Sequence, residues 1–276
     1  MLLFVHLHCN YPGGERMLHY EVINNHSEHW VVFLHGIGGS TATWKKQINA
    51  FSDYNLLLID LPGHGKSKYE EKITISNVNH AIKEVLDHLN ITKADFVTLS
   101  LGTLVAAHFA IKYPTYIGTL VMGGAVIKVE GIYKVLMNTI QIIKRLLPHR
   151  LLFNVMAKVM LPKKNHKKSR KIFIRESLKM TRKMFLAWVN YIAEITHPEK
   201  LLKKLKDLRI KMFFISGDED RCFLDGTKKV VAYLSKPKLY IIKKCGHVCS
   251  IEKYDEFNTE AVSFLNTYHQ PVPACT

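Results

Sequence analysis

A serine hydroxyl is a poor nucleophile at neutral pH, so a serine that does chemistry needs a turn that exposes it and an imidazole that takes its proton. Ser100 lies in Thr98-Leu99-Ser100-Leu101-Gly102, after the mostly apolar run Ala94-Asp95-Phe96-Val97 and before the helical pattern Leu104-Val105-Ala106-Ala107-His108-Phe109-Ala110. On a strand-to-helix turn the hydroxyl is thrust out at the strand's carboxyl end. The Leu101 N–H, at the helix start, then points at any oxyanion formed beside it. This is a geometry for acyl transfer. The usual pattern is Gly-x-Ser-x-Gly, because the turn is too tight for side chains two residues either side of the serine. Gly102 keeps the second glycine and Thr98 replaces the first. Taken alone, the partial match suits an ordinary serine in a βα loop equally well.

Further segments in a telling order add to it. Trp30-Val31-Val32-Phe33-Leu34 reads as a buried strand and ends in His35-Gly36-Ile37-Gly38-Gly39-Ser40, a glycine-rich turn that lets backbone N–H groups approach a substrate. Asn55-Leu56-Leu57-Leu58-Ile59 closes on Asp60-Leu61-Pro62-Gly63-His64-Gly65-Lys66-Ser67. Near the end of the chain, Ile210 to Ile215 leads into Ser216-Gly217-Asp218-Glu219-Asp220, and Leu239 to Ile242 leads to Gly246-His247. The order along the chain is serine, acid, histidine, each at the carboxyl end of a buried-strand run, where open parallel sheets place their sites.

On these residues the sequence resembles the α/β-hydrolase superfamily, over almost all of residues 17 to 268. His35-Gly36 and its following glycines look like the family's oxyanion loop, and Asp60 to Ser67 like its Asp-x-x-Gly-x-Gly-x-Ser turn. Gly217 to Asp220 matches the acid turn and Gly246-His247 the histidine turn; Thr98 is the clear departure. The resemblance implies Ser100 as nucleophile and His247 as general base and then acid. It implies Asp220, three residues after the glycine, rather than Asp218, as the carboxylate that orients the imidazole. The amides of Ile37 and Leu101 would form the oxyanion hole, with Gly38 the neighbour that competes with Ile37. No cofactor and no metal is expected. Cys245-Gly246-His247-Val248-Cys249 lacks a second ligand group at suitable spacing, and zinc there would consume the imidazole that Ser100 needs.

The remaining polar residues have plainer readings. His35 is expected to hydrogen-bond within its loop, Asp60 to stabilise its turn, and His64, Asp218 and Glu219 to be solvated. Cys9, Cys222, Cys245, Cys249 and Cys275 are odd in number with no framework spacing, so free thiols are expected. Met1 to Cys9 is apolar but lacks a basic lead and a small-residue cleavage site, so it reads as an edge strand and the protein as cytoplasmic.

To position these residues the chain needs alternating elements. Strand-like runs occur near Met17 to Val22, Trp30 to Leu34, Leu56 to Ile59, Phe96 to Leu99, Thr119 to Met122, Met212 to Ile215 and Leu239 to Ile242. Helical spacing marks Thr43 to Phe51, Asn77 to Leu89, Thr103 to Lys112, Asp225 to Leu234 and Tyr254 to Asn266. The alternation implies an α/β fold, a mostly parallel central sheet with helices on both faces. The rhythm breaks after Gly124. Residues 1–124 and 208–276 are expected to form the core, and residues 125–207 an inserted all-helical cap.

That insertion carries 20 Lys and Arg against 5 Asp and Glu, whereas the rest of the chain carries 19 against 18, so it holds nearly all of the formal net charge of +16. A solvated face is the plain reading of such charge; peripheral contact with an anionic membrane is the functional one. No nucleic-acid recognition motif accompanies it. Ile132, Leu136, Ile140, Ile143, Leu147, Leu152, Phe153 and Met156 are expected to form the cap core and in part roof the site. Met180, Met184, Phe185 and Trp188, with Gly38 from the loop after Leu34, are expected to line an acyl pocket.

The reading that follows is a hydrolase cleaving a carboxylic ester, thioester or lactone of a small-molecule acyl substrate through an acyl-enzyme on Ser100. The alternatives are a non-catalytic ligand-binding or signalling protein of the same fold, or a carbon–carbon bond hydrolase or haloperoxidase-type activity using the same serine. Oligomeric state leaves no mark in the sequence.

Overall fold

Runs such as Asn-Leu-Leu-Leu-Ile have no polar face to turn to water, so they must lie in strands covered on both sides. The computed structural model describes residues 17–69, 71–144, 146–193, 198–234 and 237–269, without the side chains at 132, 133, 136, 137, 141 and 193. Its strands are β1 (Tyr20–Ile23), β2 (Trp30–Leu34), β3 (Asn55–Ile59), β4 (Ala94–Leu99), β5 (Ile117–Gly123), β6 (Lys211–Gly217) and β7 (Lys238–Ile242). They form one sheet in the order β1-β3-β2-β4-β5-β6-β7. Only β1 is antiparallel to its neighbour, β3. Every residue of β3 and β4 is buried. The edge strand expected over residues 1–9 lies outside the described residues, as do Cys9 and Cys275.

The strand order matters for the site. From β2 the chain lays β3 on one side, then crosses back to place β4 on the other, so the loops after β2 and β4 leave the sheet at a topological switch point. The turn holding Ile37 and the turn holding Ser100 both open there.

Helices α1 (Ile75–His88), α2 (Leu101–Lys112), α3 (Gly131–Ile143), α4 (His149–Met160), α5 (Lys167–Ser177), α6 (Arg182–Ala193), α7 (Pro198–Asp207), α8 (Leu224–Tyr233), α9 (Cys249–Glu252) and α10 (Tyr254–Asn266) complete the described elements. Thr74 caps α1 by accepting the Asn77 N–H at 3.1 Å, which starts the helix two residues before the apolar spacing does. The α2 segment is buried on nearly all sides, matching its almost wholly apolar sequence. Between β5 and β6 the chain builds only helices among the described residues, α3 to α7. Phe153 packs there against Phe185 and Phe173 at ring distances of 4.5 and 6.1 Å.

One expected helix is absent. Residues 43–51 form two tight 3₁₀ turns, Thr41–Trp44 and Ile48–Phe51. Trp44 and Phe51 both pack on Phe33, at ring distances of 5.0 and 5.2 Å. The Gln47 amide between them donates to Ser250 O and Asn258 Oδ1 at 3.0 and 2.9 Å. Tertiary contacts on both sides of Gln47 outweigh the helical spacing, which is too short to propagate alone.

Candidate active site

Ser100 joins β4 to α2 with φ 52° and ψ −118°, a backbone region that costs a residue with a side chain about 1–3 kcal/mol. The strain is held by a dense set of bonds. Ser100 N donates to Gly123 O at 2.9 Å. Ser100 O accepts the Thr103 N–H at 2.8 Å and the Thr103 hydroxyl at 2.6 Å. Thr103 Oγ1 in turn accepts the Val126 N–H at 2.9 Å. Gly102 must be glycine for space, because a Cβ there would stand 2.2 Å from Leu34 O. Thr98 fits because its hydroxyl turns to the neighbouring strand and donates to Val121 O at 2.9 Å.

His247 Nε2 lies 2.8 Å from Ser100 Oγ, and His247 Nδ1 lies 2.8 Å from Asp220 Oδ2. With Nδ1–H donating to the carboxylate, the Nε2 lone pair is left to accept the serine hydroxyl. The set is nearly closed to water: Ser100 is 8% exposed, and Asp220 and His247 are each 1% exposed. Asp220 is anchored by the Phe223 N–H at 3.3 Å, and the Phe223 ring packs on the imidazole at 4.7 Å. On another side is Gly124, where a Cβ would come within 3.3 Å of two ring atoms and 2.4 Å of His247 O. Asp218 instead accepts the Cys245 N–H at 3.3 Å and braces the turn.

Ile37 and Leu101 stand at the same site. Both residues line the same cavity as Ser100, and neither N–H is used in a hydrogen bond among the described residues. Two free donors beside an activated hydroxyl are what a developing oxyanion requires.

The loop that carries Ile37 is itself braced. His35 Nδ1–H donates to Gly36 O at 2.8 Å while its Nε2 accepts the Leu61 N–H at 3.0 Å, and burial holds its pKa below the ordinary value. Asp60 accepts N–H groups from Thr41 and Lys66, at 2.6 and 2.8 Å, and lies 2.9 Å from His19 Nδ1. Both residues therefore serve the turns, as the sequence reading has them. His64 does not match its expectation of a solvated residue. It is buried between His35 and Trp188, at ring distances of 4.9 and 5.5 Å, and burial pushes its pKa down to about 3.

The cavity beside Ser100 is narrow, with about 620 Å³ of space free of atoms including its open mouth. Its walls are Val126, Val129 and Ile140, with Val155, Met156, Val159 and Met160 from α4, Ile192 from α6, and Cys222 and Phe223 below. Burial pushes the Cys222 thiol up to about 12, so it is an apolar wall and not a nucleophile.

Gly38, Met180, Met184, Phe185 and Trp188, expected at the pocket, are absent from these walls. Trp188 donates its indole N–H to Pro62 O at 2.9 Å, and Met184 packs over Gly63. Gly38 is pressed against Ser177. Met184 and Trp188 thus tie α6 to the Asp60–Ser67 turn, and Ser177 ties α5 to the loop after β2. Ile140 and Met156 do line the cavity.

A second tie was not visible in the sequence. His166, fully buried, lies 2.7 Å from Glu219 Oε2, and Glu219 also accepts from Lys163 at 2.5 Å and Asn165 at 2.9 Å. Hydrogen bonds from Asn165 and Lys163 hold the Glu219 carboxyl down to about 2. Glu252, 3.6 Å from His166, accepts the Gly246 N–H at 3.0 Å. The segment between α4 and α5 thus grips the residues next to both Asp220 and His247. Its only sequence signal is a basic run opposite an acidic turn, which does not say that they meet.

The model of the alpha/beta hydrolase fold family matches residues 29–143. A 2-hydroxy-6-oxononadienedioate/2-hydroxy-6-oxononatrienedioate hydrolase of Paraburkholderia phymatum is 27% identical over 280 aligned positions, covering 92% of each chain. A 2-hydroxy-6-oxo-6-phenylhexa-2,4-dienoate hydrolase of Comamonas testosteroni is 26% identical, covering 85% of this chain and 87% of its own. Among solved structures, the enol-lactonase of Burkholderia xenovorans LB400 superposes with a TM-score of 0.80 at 18% identity, covering 90% of this chain and 96% of its own. Sheet order, family model and structural likeness agree on the α/β-hydrolase fold.

Proposed function

We propose that the protein is a serine hydrolase that cleaves a carbon–carbon bond next to an activated carbonyl, with Ser100 as nucleophile. The observation that carries the reading is the Ser100–His247–Asp220 chain of 2.8 Å contacts facing a cavity that two unused amides border. Ser100 Oγ adds to the carbonyl carbon as its proton passes to His247 Nε2. Asp220 holds the imidazolium, and the Ile37 and Leu101 N–H groups hold the oxyanion, each such donor being worth about 2.7–4 kcal/mol of barrier. Collapse breaks the bond to the leaving group, which takes the proton from His247. A water then gives its proton to His247 and its oxygen to the acyl carbon, releasing the acid and restoring Ser100.

A carbon leaving group departs only if its electron pair is delocalised into a neighbouring carbonyl or diene. Substrates of the class named for the two sequence relatives, oxo-dienoates, meet that need. This moves the expected bond away from the carboxylic ester, which becomes the second reading. One observation favours that second reading: among the described cavity walls no side chain is cationic, so the acid end of a dienoate finds no partner inside.

The test is a comparison of 2-hydroxy-6-oxo-6-phenylhexa-2,4-dienoate with p-nitrophenyl esters of increasing acyl length. Turnover of the dienoate that vanishes in Ser100→Ala supports the proposal. Serine-dependent turnover of esters alone overturns the carbon–carbon assignment in favour of the ester. No labelling of Ser100 by a fluorophosphonate would favour a non-catalytic binding protein and overturn both.

A further inference from the structure

We propose that the surface of α3, α4 and their connection carrying Val135, Ile142, Leu146, Leu151 and Val155 rests on an anionic lipid surface at the mouth of the Ser100 cavity. Of the large apolar side chains most exposed among the described residues, these five are joined only by Tyr233 and Tyr268. Ile142 and Leu146 are 77% and 81% exposed. Val135 and Ile142, seven apart, lie on one line of α3, and Leu146 lies in the connection between α3 and α4. Leu151 and Val155 lie on one line of α4, which Lys158 continues.

Cations flank this apolar surface. Lys134, Arg150 and Lys158 are exposed and make no ion pair among the described residues. They belong to the segment with 20 Lys and Arg against 5 Asp and Glu. Apolar side chains ringed by unpaired cations are the composition that binds anionic headgroups while burying its apolar part at the acyl boundary. A second copy of the chain fits poorly, because it would press two surfaces of the same sign together. No helix among the described residues is long and apolar enough to cross a membrane, so the face would lie on the surface.

The cavity supplies an independent argument. Val155 is both part of this exposed stripe and a wall of the cavity that holds Ser100. An apolar group leaving a lipid surface would therefore reach the nucleophile along apolar walls.

The test uses the full chain, sedimented with phosphatidylcholine vesicles with and without phosphatidylglycerol, at low and high salt. Binding only to the anionic vesicles, weakened by salt, is expected. Ile142→Ser with Leu146→Ser should weaken it about tenfold, as should Lys134→Glu with Lys158→Glu, both with unchanged melting. No binding to anionic vesicles at low salt overturns the proposal, as does equal binding by the serine variant. Self-association without vesicles that the serine variant abolishes also overturns it, in favour of a second copy. Vesicle binding is read without turnover, so its failure leaves the hydrolase reading untouched.

Discussion

The sheet core and the helices between β5 and β6 handle polar and apolar groups in opposite ways. Below, at the strand ends, Ser100, His247, Asp220, His35 and Asp60 each have a named polar partner. Above, Ile142 and Leu146 stand in water. Polar groups closed off from water must be partnered or they cost stability, so the core can hold a proton relay in one geometry. The helical region carries no such constraint on its outer face, and its inner face supplies cavity walls and the ties at Trp188 and His166. The Ser100–His247–Asp220 set lies at the strand ends, and the helices above build most of the cavity walls beside it.

The comparison breaks first, if it breaks, at the relay. Ser100→Ala or His247→Ala should lower kcat by about 10⁴-fold or more with little change in melting temperature, read by steady-state kinetics beside a thermal melt. A surviving rate would mean that the core does not hold the chemistry. Gly102→Ala tests the tightness of the elbow, where the added methyl meets Leu34 O at 2.2 Å. A loss of about 1–3 kcal/mol in urea unfolding is expected, with activity falling alongside.

Thr98→Val keeps the shape of the side chain and removes its bond to Val121 O. It should cost about 1 kcal/mol of stability and leave kcat nearly unchanged. A large kcat effect would instead show that the threonine tunes the elbow.

Glu219→Gln probes the tie between the two regions. The Glu219 carboxyl is held down from 4.5 to about 2, so it stays ionised in the folded chain at pH values where the unfolded chain protonates it. Its contribution is therefore full above about pH 4.5 and is lost as pH falls toward 2. The wild type should exceed the variant by about 1 kcal/mol at neutral pH, the difference closing on acidification, as followed by melts across pH. The smallest effect is expected on the outer face: Ile142→Ser with Leu146→Ser should change stability by no more than about 0.5 kcal/mol per site.

All seven strands lie where the apolar runs place them, within a few residues, because a strand buried on both faces needs an unbroken apolar run. The serine turn is equally local, written in five consecutive residues. The expected helix over residues 43–51 failed because Gln47, Trp44 and Phe51 answer to Ser250, Asn258 and Phe33, which are remote along the chain.

What the sequence determined by itself is the order of strands and turns and the identity of the residues at their carboxyl ends, since these follow from short-range pattern. Only the tertiary structure decided that Thr98 finds Val121 and that His64 is buried under Trp188. It also decided that Met156 and Val159 line the cavity while Met184 and Trp188 turn to the Asp60–Ser67 turn. An apolar residue on a helix is marked by its sequence as inward, but the rotation of that helix, and so which wall the residue builds, is set by the partners it packs against.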